Sequence, residues 1–427
     1  MMHFENSLAF AQEMDDKDEL SRFRDQFLIP QRHGRDQVYF LGNSLGLQPK
    51  ATSRYIQQVL DQWASRGVES FFQGEFPWMD YHKQLVKTLS EIVGALPNEV
   101  VVMNQLTVNL HLMMITFYRP TGTKNKILCE AKAFPSDQYM LETHLKHLGL
   151  DPEKIIIEVS PRPGEHTIRT EDILEMIIAN RHDLALVFFG GINYYTGQFF
   201  DLKEITTAAH AAGALAGYDL AHAAGNVRLS LHDWNVDFAC WCSYKYLNSG
   251  PGAVSGVFIH ERFHDDPFLQ RFGGWWGYQE DKRFEMQKGF VPVDSAEGWQ
   301  LSTPSMILFA CHKAALDIFE EADIGKVFMK GQLMSDYLLF ILDQVSNDAG
   351  DKLIEILTPQ NPGQRGCQVS MLMLKNGKEI FEELSKQGIF ADWREPNVIR
   401  IAPVPLYNRF EEIFRFGDII KGLTFKV

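Results

Sequence analysis

The strongest constraint on the fold of this chain is an alternation of short apolar segments with longer helical ones, between about residue 100 and residue 260. The apolar or β-branched segments predict strands at residues 126–130, 155–159, 184–189, 214–218, 236–240 and 254–260. Helical patterns separate several of these segments, at residues 137–148, 171–180 and 202–212. This alternation is typical of parallel strands joined by helical crossovers, which bind ligands at the carboxyl ends of the strands.

The segments on either side of this alternation predict a second, smaller α+β layer. Before it we expect a peripheral arm with a helical pattern over residues 18–27, a strand over 38–41 and a helix over 50–66. After a stretch punctuated by Gly and Pro at 289–304, we expect helices over 305–321, 326–345, 378–387 and 409–422, and strands over 368–374 and 398–401. The predicted domains are an arm and helix at 1–65, a large α/β domain at 66–304 and a small α+β domain at 305–427.

The composition argues against several classes of protein. Of the 427 residues, 45% are hydrophobic, which excludes a disordered chain. The net charge of −14 argues against nucleic acid as a partner, because phosphate binding needs a basic face. No run of about 18 apolar residues predicts a membrane-spanning helix, and residues 1–20 lack the features of a signal or transit peptide. Five cysteines fit a reducing compartment, so we expect a cytoplasmic protein.

Two residues with acid–base chemistry follow predicted strands. Asp219 begins the segment Asp219-Leu-Ala-His222, and Lys245 follows Trp241-Cys-Ser-Tyr244. Apolar and aromatic neighbours favour the neutral amine, which can form a Schiff base with an aldehyde. Pyridoxal phosphate needs such a lysine, together with an acid for its ring nitrogen and a cradle for its phosphate. The alternative is that Lys245 is an ordinary surface lysine and Asp219 caps a helix.

Three further segments could complete such a site. Phe134-Pro-Ser-Asp137 opens a helix after a strand, and its aromatic side chain could stack on a flat ring. Asn104-Gln-Leu-Thr-Val-Asn109 precedes an apolar helical run, and helix N-termini attract phosphate. Simple helix capping is the alternative at both places. Gly273-Gly-Trp-Trp-Gly277 places aromatic residues on a loop, where packing or an interface is the commoner role.

Other kinds of site have weaker support. His222 lies three residues after Asp219, but no Gly-x-Ser-x-Gly elbow accompanies a possible Ser/His/Asp set, and a structural histidine is the alternative. The turn at residues 42–47 lacks the Gly-x-Gly-x-x-Gly pattern of a dinucleotide site. Cys240 and Cys242 have no second pair at zinc-like spacing, so we expect no metal site.

The ordered set of motifs resembles the kynureninase family, pyridoxal phosphate enzymes with the fold of aspartate aminotransferase (fold type I). The resemblance runs from about residue 38 to the C-terminus. Any one of the blocks is a weak signal, whereas their order and spacing together are highly specific. The matching blocks are Tyr39-Phe-Leu-Gly-Asn-Ser-Leu-Gly-Leu-Gln-Pro49, Leu106-Thr-Val-Asn-Leu-His-Leu112, Ala131-Lys-Ala-Phe-Pro-Ser-Asp137, Tyr195-Thr-Gly-Gln198, Asp219-Leu-Ala-His-Ala-Ala-Gly-Asn-Val227, Trp241-Cys-Ser-Tyr-Lys-Tyr-Leu-Asn248, Gly274-Trp-Trp-Gly277 and Arg400-Ile-Ala-Pro-Val-Pro-Leu-Tyr-Asn408.

The resemblance implies a role for each matching residue. Lys245 would hold the cofactor covalently, Asp219 would pair with its ring nitrogen, and Arg400 would bind the substrate carboxylate. Both Lys245 and Tyr244 would move protons. The remaining cofactor-binding residues that the resemblance implies are Leu106, Thr107, Phe134, Pro135, Ser136, Asp137, His222 and Tyr244 in the same subunit, with Trp275 and Thr303 reaching the site from the second subunit of a homodimer.

The resemblance also implies a reaction, the hydrolysis of L-kynurenine or its 3-hydroxy form to anthranilate or 3-hydroxyanthranilate and L-alanine. Tryptophan degradation and supply of a nicotinamide precursor are both compatible with it. Gly190 stands where many members have Ser, Thr303 where vertebrate members have Asn, and the loop at 67–78 lacks their active-site His. These departures leave the preferred kynurenine open. An aminotransferase or desulfurase of the same fold and a cofactor-free binding protein are the alternatives.

Overall fold

The computed structural model of the chain describes residues 3–348 and 353–424. Within them the α-helices, α1 to α12, are Leu8–Asp16, Thr52–Arg66, Lys83–Val93, Leu106–Phe117, Pro135–His147, Pro152–Ile155, Thr170–Ala179, Leu202–Ala211, Met306–Ala322, Ile324–Asp348, Gly377–Lys386 and Phe410–Thr424. The strands, β1 to β15, are Gln31–Arg32, Arg35–Asp36, Val38–Tyr39, Val100–Met103, Lys126–Glu130, Ile156–Val159, Leu184–Gly190, Leu215–Asp219, Phe238–Cys242, Ser255–Ile259, Ile354–Ile356, Val369–Met373, Ile389–Phe390, Asp392–Arg394 and Val398–Ile401. None of these helices has the length and apolar character needed to span a bilayer.

A seven-stranded sheet in the order β4-β10-β9-β8-β7-β5-β6 forms the centre of the protein. The pairs between β9, β8, β7, β5 and β6 are all parallel, as the alternating pattern predicts. Strand β10 runs antiparallel to both of its neighbours, so the expectation of a parallel strand at residues 254–260 is wrong. The physical reason is the connection from β9, which contains no crossover helix and lets the chain return beside the strand it has just left. The sheet is therefore mainly parallel.

Helices cover both faces of this sheet and bury its strands. Along β7, Val187 belongs to the hydrophobic cluster on one face, while Leu186 and Phe188 belong to the cluster on the other. The second cluster also contains residues of α4 and α5, whereas the first contains residues of α7, α8 and α9. Because successive strand side chains point to opposite faces, a run of apolar residues such as β7 fits a strand buried on both sides.

A four-stranded antiparallel sheet in the order β11-β12-β15-β14 forms the second layer. Segments from the N-terminal part join it, since β3 pairs in parallel with β13 and α1 packs against α12. The helical pattern predicted over residues 18–27 is a 3₁₀ helix at Ser21–Gln26, and α1 was not predicted. The domain boundaries at 65 and 304 stay predictions.

Gly217 of β8 offers a direct test of packing in the central sheet. A Cβ atom there would lie 2.0 Å from Cζ of Phe238 on β9, so alanine forces a buried aromatic ring to move. We expect Gly217→Ala to lower the free energy of unfolding by about 1–3 kcal/mol, measured by urea denaturation. Gly422→Ala is the control, because a Cβ at this position in α12 meets no atom within 4 Å. Equal stabilities of the two variants would contradict this packing.

Candidate active site

A cavity of about 280 Å³ opens at the carboxyl ends of the central parallel strands. Glu130, Gly190 and Asp219 are the last residues of β5, β7 and β8, and Lys245 follows the end of β9 by three residues. Parallel strands present their carboxyl ends at one edge, and the cavity lies at that edge, where the sequence predicts ligand binding. The lining residues are Gln105, Leu106, Thr107, Val108, Glu130, Phe134, Ser136, Asp137, Gly190, Ile192, Tyr194, Asp219, Ala221, His222, Tyr244 and Lys245.

Lys245 reaches into this cavity between two aromatic rings. Its Nζ atom lies 5.9 Å from the centroid of the Phe134 ring and 5.9 Å from that of Tyr244. The Phe134 ring itself meets the ring of Tyr194 edge-on, with centroids 5.2 Å apart at 83°. Lys245 is therefore a cavity lysine rather than an ordinary surface one, and its amine faces the space where a flat ligand would lie against Phe134.

Asp219 is a buried carboxyl group on the same cavity. Its Oδ1 atom accepts a hydrogen bond of 2.7 Å from the backbone N–H of Ala221, so it also caps the turn that follows β8. Burial raises the pKa of Asp219, while the Lys245 ammonium and the Ala221 N–H act in the opposite direction. The two interpretations of Asp219 from the sequence are thus compatible, since one oxygen caps the turn and the group lines the cavity.

Asp137 lies beside Asp219 and shares its environment. Burial, together with the neighbouring carboxylate, raises the pKa of Asp137 well above its ordinary value. We therefore assign the shared proton to Asp137, which donates a hydrogen bond to the ionised Asp219. This arrangement keeps one negative charge, rather than two, next to Lys245.

Two helices begin at the cavity without a side-chain cap. Gln105 is the N-cap residue of α4 and Phe134 is that of α5, and neither makes a capping hydrogen bond through its side chain. Simple capping, the alternative for both segments, is therefore wrong. The first turn of α4 lines the cavity with Leu106 and Thr107, and a helix N-terminus attracts an anion through its free N–H groups.

His222 and Tyr244 contribute side chains that differ in their proton chemistry. Burial and the nearby cations lower the pKa of His222 well below its ordinary value, so its imidazole is neutral at neutral pH. The Nδ1 atom of His222 is buried and has no hydrogen-bond partner among the described residues. Burial raises the pKa of Tyr244, which therefore keeps a proton that it can donate. At neutral pH the Tyr244 phenol is therefore protonated, and His222 is not an imidazolium.

Four residues predicted for the site do not line the cavity of the single chain. Pro135 is the first residue of α5 and lies between Phe134 and Ser136, which both line the cavity. Arg400 is buried beside Tyr194, a residue of the cavity wall. It donates a hydrogen bond to the Tyr194 carbonyl oxygen and forms an ion pair with Asp392. Trp275 and Thr303 are exposed on the surface, which agrees with their expected contribution to a second subunit.

Comparison with known proteins identifies the family. The family model for the kynureninase C-terminal domain matches residues 328–420. Over 420 residues, 98% of this chain and 99% of the relative, the sequence is 52% identical to a kynureninase of Flavobacterium psychrophilum. A kynureninase of Nematostella vectensis is 46% identical over 97% of this chain and 94% of its own length.

The chain belongs to the kynureninase family.

Solved structures confirm the fold of this family member. A C-DES mutant with glycine covalently linked to its pyridoxal phosphate cofactor superposes with a TM-score of 0.74, covering 92% of this chain and 99% of that one at 16% identity. A cysteine desulfurase from Thermococcus onnurineus gives a TM-score of 0.73 at 16% identity over the full length of both chains. The architecture is the α/β fold that the resemblance implied.

Glu130 and Tyr194 of this kynureninase-family chain line the cavity and were not predicted as site residues. Glu130 carries the same sequence signal as Asp219, because it also stands at the carboxyl end of a predicted strand. Tyr194 had no comparable signal. Its ring and its carbonyl oxygen reach Phe134 and Arg400 only through the turn that follows β7.

The raised pKa of Asp137 has a consequence for stability. Because this pKa is higher in the folded chain than in the unfolded one, its stabilising contribution is complete below the ordinary pKa and is lost as pH rises through the folded-state value. Asp137→Asn removes the ionisable group, and with it the loss of stability at higher pH. We expect the melting temperature of this variant, relative to the unsubstituted protein, to increase between about pH 4 and pH 8.

The control for this pH dependence is Asp151→Asn on the surface. Hydrogen bonding to Lys154 lowers the pKa of Asp151, so the sign is reversed: the variant should lose relative stability as pH rises only below about pH 5, and its melting-temperature difference should be flat from there to pH 8. A melting-temperature difference for Asp137→Asn that stays constant with pH, while Asp151→Asn behaves as described, would refute a proton held on Asp137.

Proposed function

We propose that this chain is a kynureninase that uses pyridoxal phosphate to hydrolyse L-kynurenine, or its 3-hydroxy form, to anthranilate or 3-hydroxyanthranilate and L-alanine. The observation that carries the proposal is one cavity containing the Lys245 amine, the buried Asp219 carboxyl group and the Phe134 ring. These are the amine, the acid and the flat surface that the cofactor requires. The whole-length similarity to kynureninases selects this reaction among those that the fold supports.

The residues of the cavity fit the cofactor. Lys245 would hold its aldehyde carbon, Phe134 would cover its ring, and Asp219 would keep a proton on its ring nitrogen. The uncapped start of α4, with Leu106 and Thr107, offers N–H groups for the phosphate. The Nδ1 atom of His222 supports the same conclusion, because it is buried, has no hydrogen-bond partner in the described part of the chain, and a polar atom left in this way in a cavity is expected to meet a ligand.

Pyridoxal phosphate, when bound, supplies an aromatic ring that stores the electron pair released at the substrate α-carbon. The Lys245 amine, freed when substrate binds, accepts the proton from that carbon. Water adds to the γ-carbonyl carbon of the substrate, and the Cβ–Cγ bond then breaks. The acyl fragment leaves as anthranilate, and the β-carbon takes up a proton to become the methyl group of alanine. Tyr244 donates protons in this sequence, because neutral His222 has none to give at neutral pH.

Arg400 is proposed to bind the substrate α-carboxylate. It is 1% exposed, and burial lowers its pKa to about 10, which still leaves it charged at neutral pH. Its hydrogen bond to the Tyr194 carbonyl oxygen holds the guanidinium against a residue that lines the cavity. The Nε atom is buried and has no hydrogen-bond partner within residues 3–348 and 353–424, so part of this rigid donor fork remains for a carboxylate.

We further propose that the protein acts as a homodimer with shared sites. A surface patch, residues 268–291, exposes large apolar side chains at Phe268, Phe272, Trp275, Phe284, Met286, Phe290 and Val291. Phe72 from another part of the chain extends it, with its ring centroid 5.8 Å from that of Phe284. Exposed apolar rings that contact one another, as Phe72, Phe284 and Trp275 do, are typical of an interaction site. A second copy of the chain would cover it and bring Trp275 to the neighbouring cavity.

A desulfurase with the same fold is disfavoured by the cysteines. Cys129, Cys240, Cys242 and Cys367 are buried, and burial raises the pKa of each thiol. Cys311 is partly exposed, and its thiol pKa is also raised by burial. Sulfur transfer needs an accessible thiolate, which these environments oppose.

Lys245→Ala tests the proposed function. We expect the unsubstituted protein, supplied with pyridoxal phosphate, to release anthranilate fluorescence and alanine in equal amounts from kynurenine. The variant should lose roughly 10³-fold or more of that rate, because both cofactor attachment and the α-proton acceptor are removed. Lys154→Ala, an exposed substitution on α6, is the matched control and should retain full activity. Full activity of Lys245→Ala, or sulfide released from cysteine instead of anthranilate, would reject the proposal.

Shared sites predict complementation between two inactive variants. Trp275→Ala subunits mixed with Lys245→Ala subunits should recover about a quarter of the normal activity, because half the dimers are hybrids with one intact site of two. The control mixes Lys245→Ala with the double variant Lys245→Ala, Trp275→Ala, which should recover nothing. Absence of recovery, after subunit exchange is verified with tagged copies, would show that each site is complete within one chain.

A further inference from the structure

Glu130 is a buried carboxyl group on the cavity that the proposed reaction does not use. It is 4% exposed and ends β5. Its Oε1 atom accepts a hydrogen bond of 3.1 Å from the Gly190 N–H, and its Oε2 atom accepts one of 2.7 Å from Nδ2 of Asn193. No cationic side chain among the described residues forms an ion pair with it. Both of its donors are neutral, which is an unusual setting for a buried carboxylate.

The orientation of Asn193 is fixed by its other contacts. Its Oδ1 atom accepts hydrogen bonds from the Tyr195 N–H at 3.0 Å, from the Thr196 N–H at 2.9 Å and from the Thr196 hydroxyl at 3.1 Å. The amide therefore presents its NH₂ group to Glu130 and cannot flip without losing all three. The loop at residues 193–196 therefore holds the Glu130 carboxyl group in one place.

Gly190 leaves room for the carboxyl group. A Cβ atom at position 190 would lie 2.7 Å from Oε1 of Glu130, closer than two such atoms pack. The carboxylate oxygen therefore occupies the space into which a side chain at 190 would project. A polar atom thus remains at this point of the cavity wall although residue 190 itself has no side chain.

The charged groups that line the same cavity as Glu130 come from three other elements. Asp219 lies opposite Gly190 in the register of β7 and β8, Asp137 is on α5, and Lys245 follows β9. Burial and the nearby Asp219 raise the pKa of Glu130 to about 7, against the effect of its two donors. Its charge therefore changes in the neutral range, inside the cavity that contains Asp219.

We propose that Glu130 is a positioning residue of the cofactor site. Its carboxyl group, held by Gly190 and Asn193 where a side chain at position 190 would project, determines the charge on the Asp219 side of the cavity. The inference rests on the proposed use of pyridoxal phosphate. A negative Glu130 stabilises protons on nitrogen atoms in the cavity, including the Lys245 nitrogen that carries the cofactor. Glu130 acts through this charge and not by direct proton transfer to substrate.

The test is a pH titration of the visible absorption of the cofactor-loaded protein without substrate. Glu130→Gln removes the negative charge, so we expect the titration midpoint to move to lower pH by roughly 0.5–1 unit. Glu158→Gln is the matched control, because Glu158 lies on neighbouring β6 opposite Cys129 but is exposed, and its midpoint should equal that of the unsubstituted protein.

A second variant keeps the test decisive if Glu130→Gln fails to fold. Gly190→Ala retains the carboxyl group but displaces it with a methyl group, so we expect a smaller shift in the same direction. Midpoints that are unchanged in every folded variant would overturn the role of Glu130. If the shift occurs but the unsubstituted protein forms no anthranilate from kynurenine, the proposed reaction fails and the role of Glu130 stands.

Discussion

The carboxyl edge of the parallel strands is the constraint on which the rest of the structure depends. Glu130, Gly190 and Asp219 end β5, β7 and β8 at this edge, and the segment after β9 brings Lys245 to it. Covering helices prevent the strand faces from meeting a ligand, so the edge is where chemistry can occur. A shift in the register of one strand would move its terminal residue out of the cavity.

Burial away from water determines the protonation states of the ionisable side chains in the cavity. In a poorly solvated cavity a carboxylate costs free energy unless a cation or a donor compensates it. Lys245 and the Ala221 N–H compensate Asp219, whereas we assign a proton to Asp137. The same burial makes His222 neutral and keeps Tyr244 protonated. One physical effect thus assigns opposite proton roles to neighbouring side chains.

Sequence patterns predicted several buried strands closely in both sheets. The strand at 126–130 has the predicted bounds, and so does the strand at 398–401 in the smaller sheet. Lys245 and Asp219 both line the cavity, and their roles stay predictions. The direction of β10 was not predictable from its composition, because an apolar run is the same in either direction. Helix α1 was missed because its apolar face is short and lies among acidic residues. Only Ala11 and Met14 of this helix are buried.

The sequence by itself determined the fold class, the family and the residues at the ends of the strands, because local periodicity and ordered motifs are properties of the chain alone. Only the tertiary structure decided which of those residues share a cavity and how each is charged. Glu130 shows the difference. Its environment is made by Gly190 and Asn193, about sixty residues away along the chain, and a pKa depends on neighbours in space rather than in sequence.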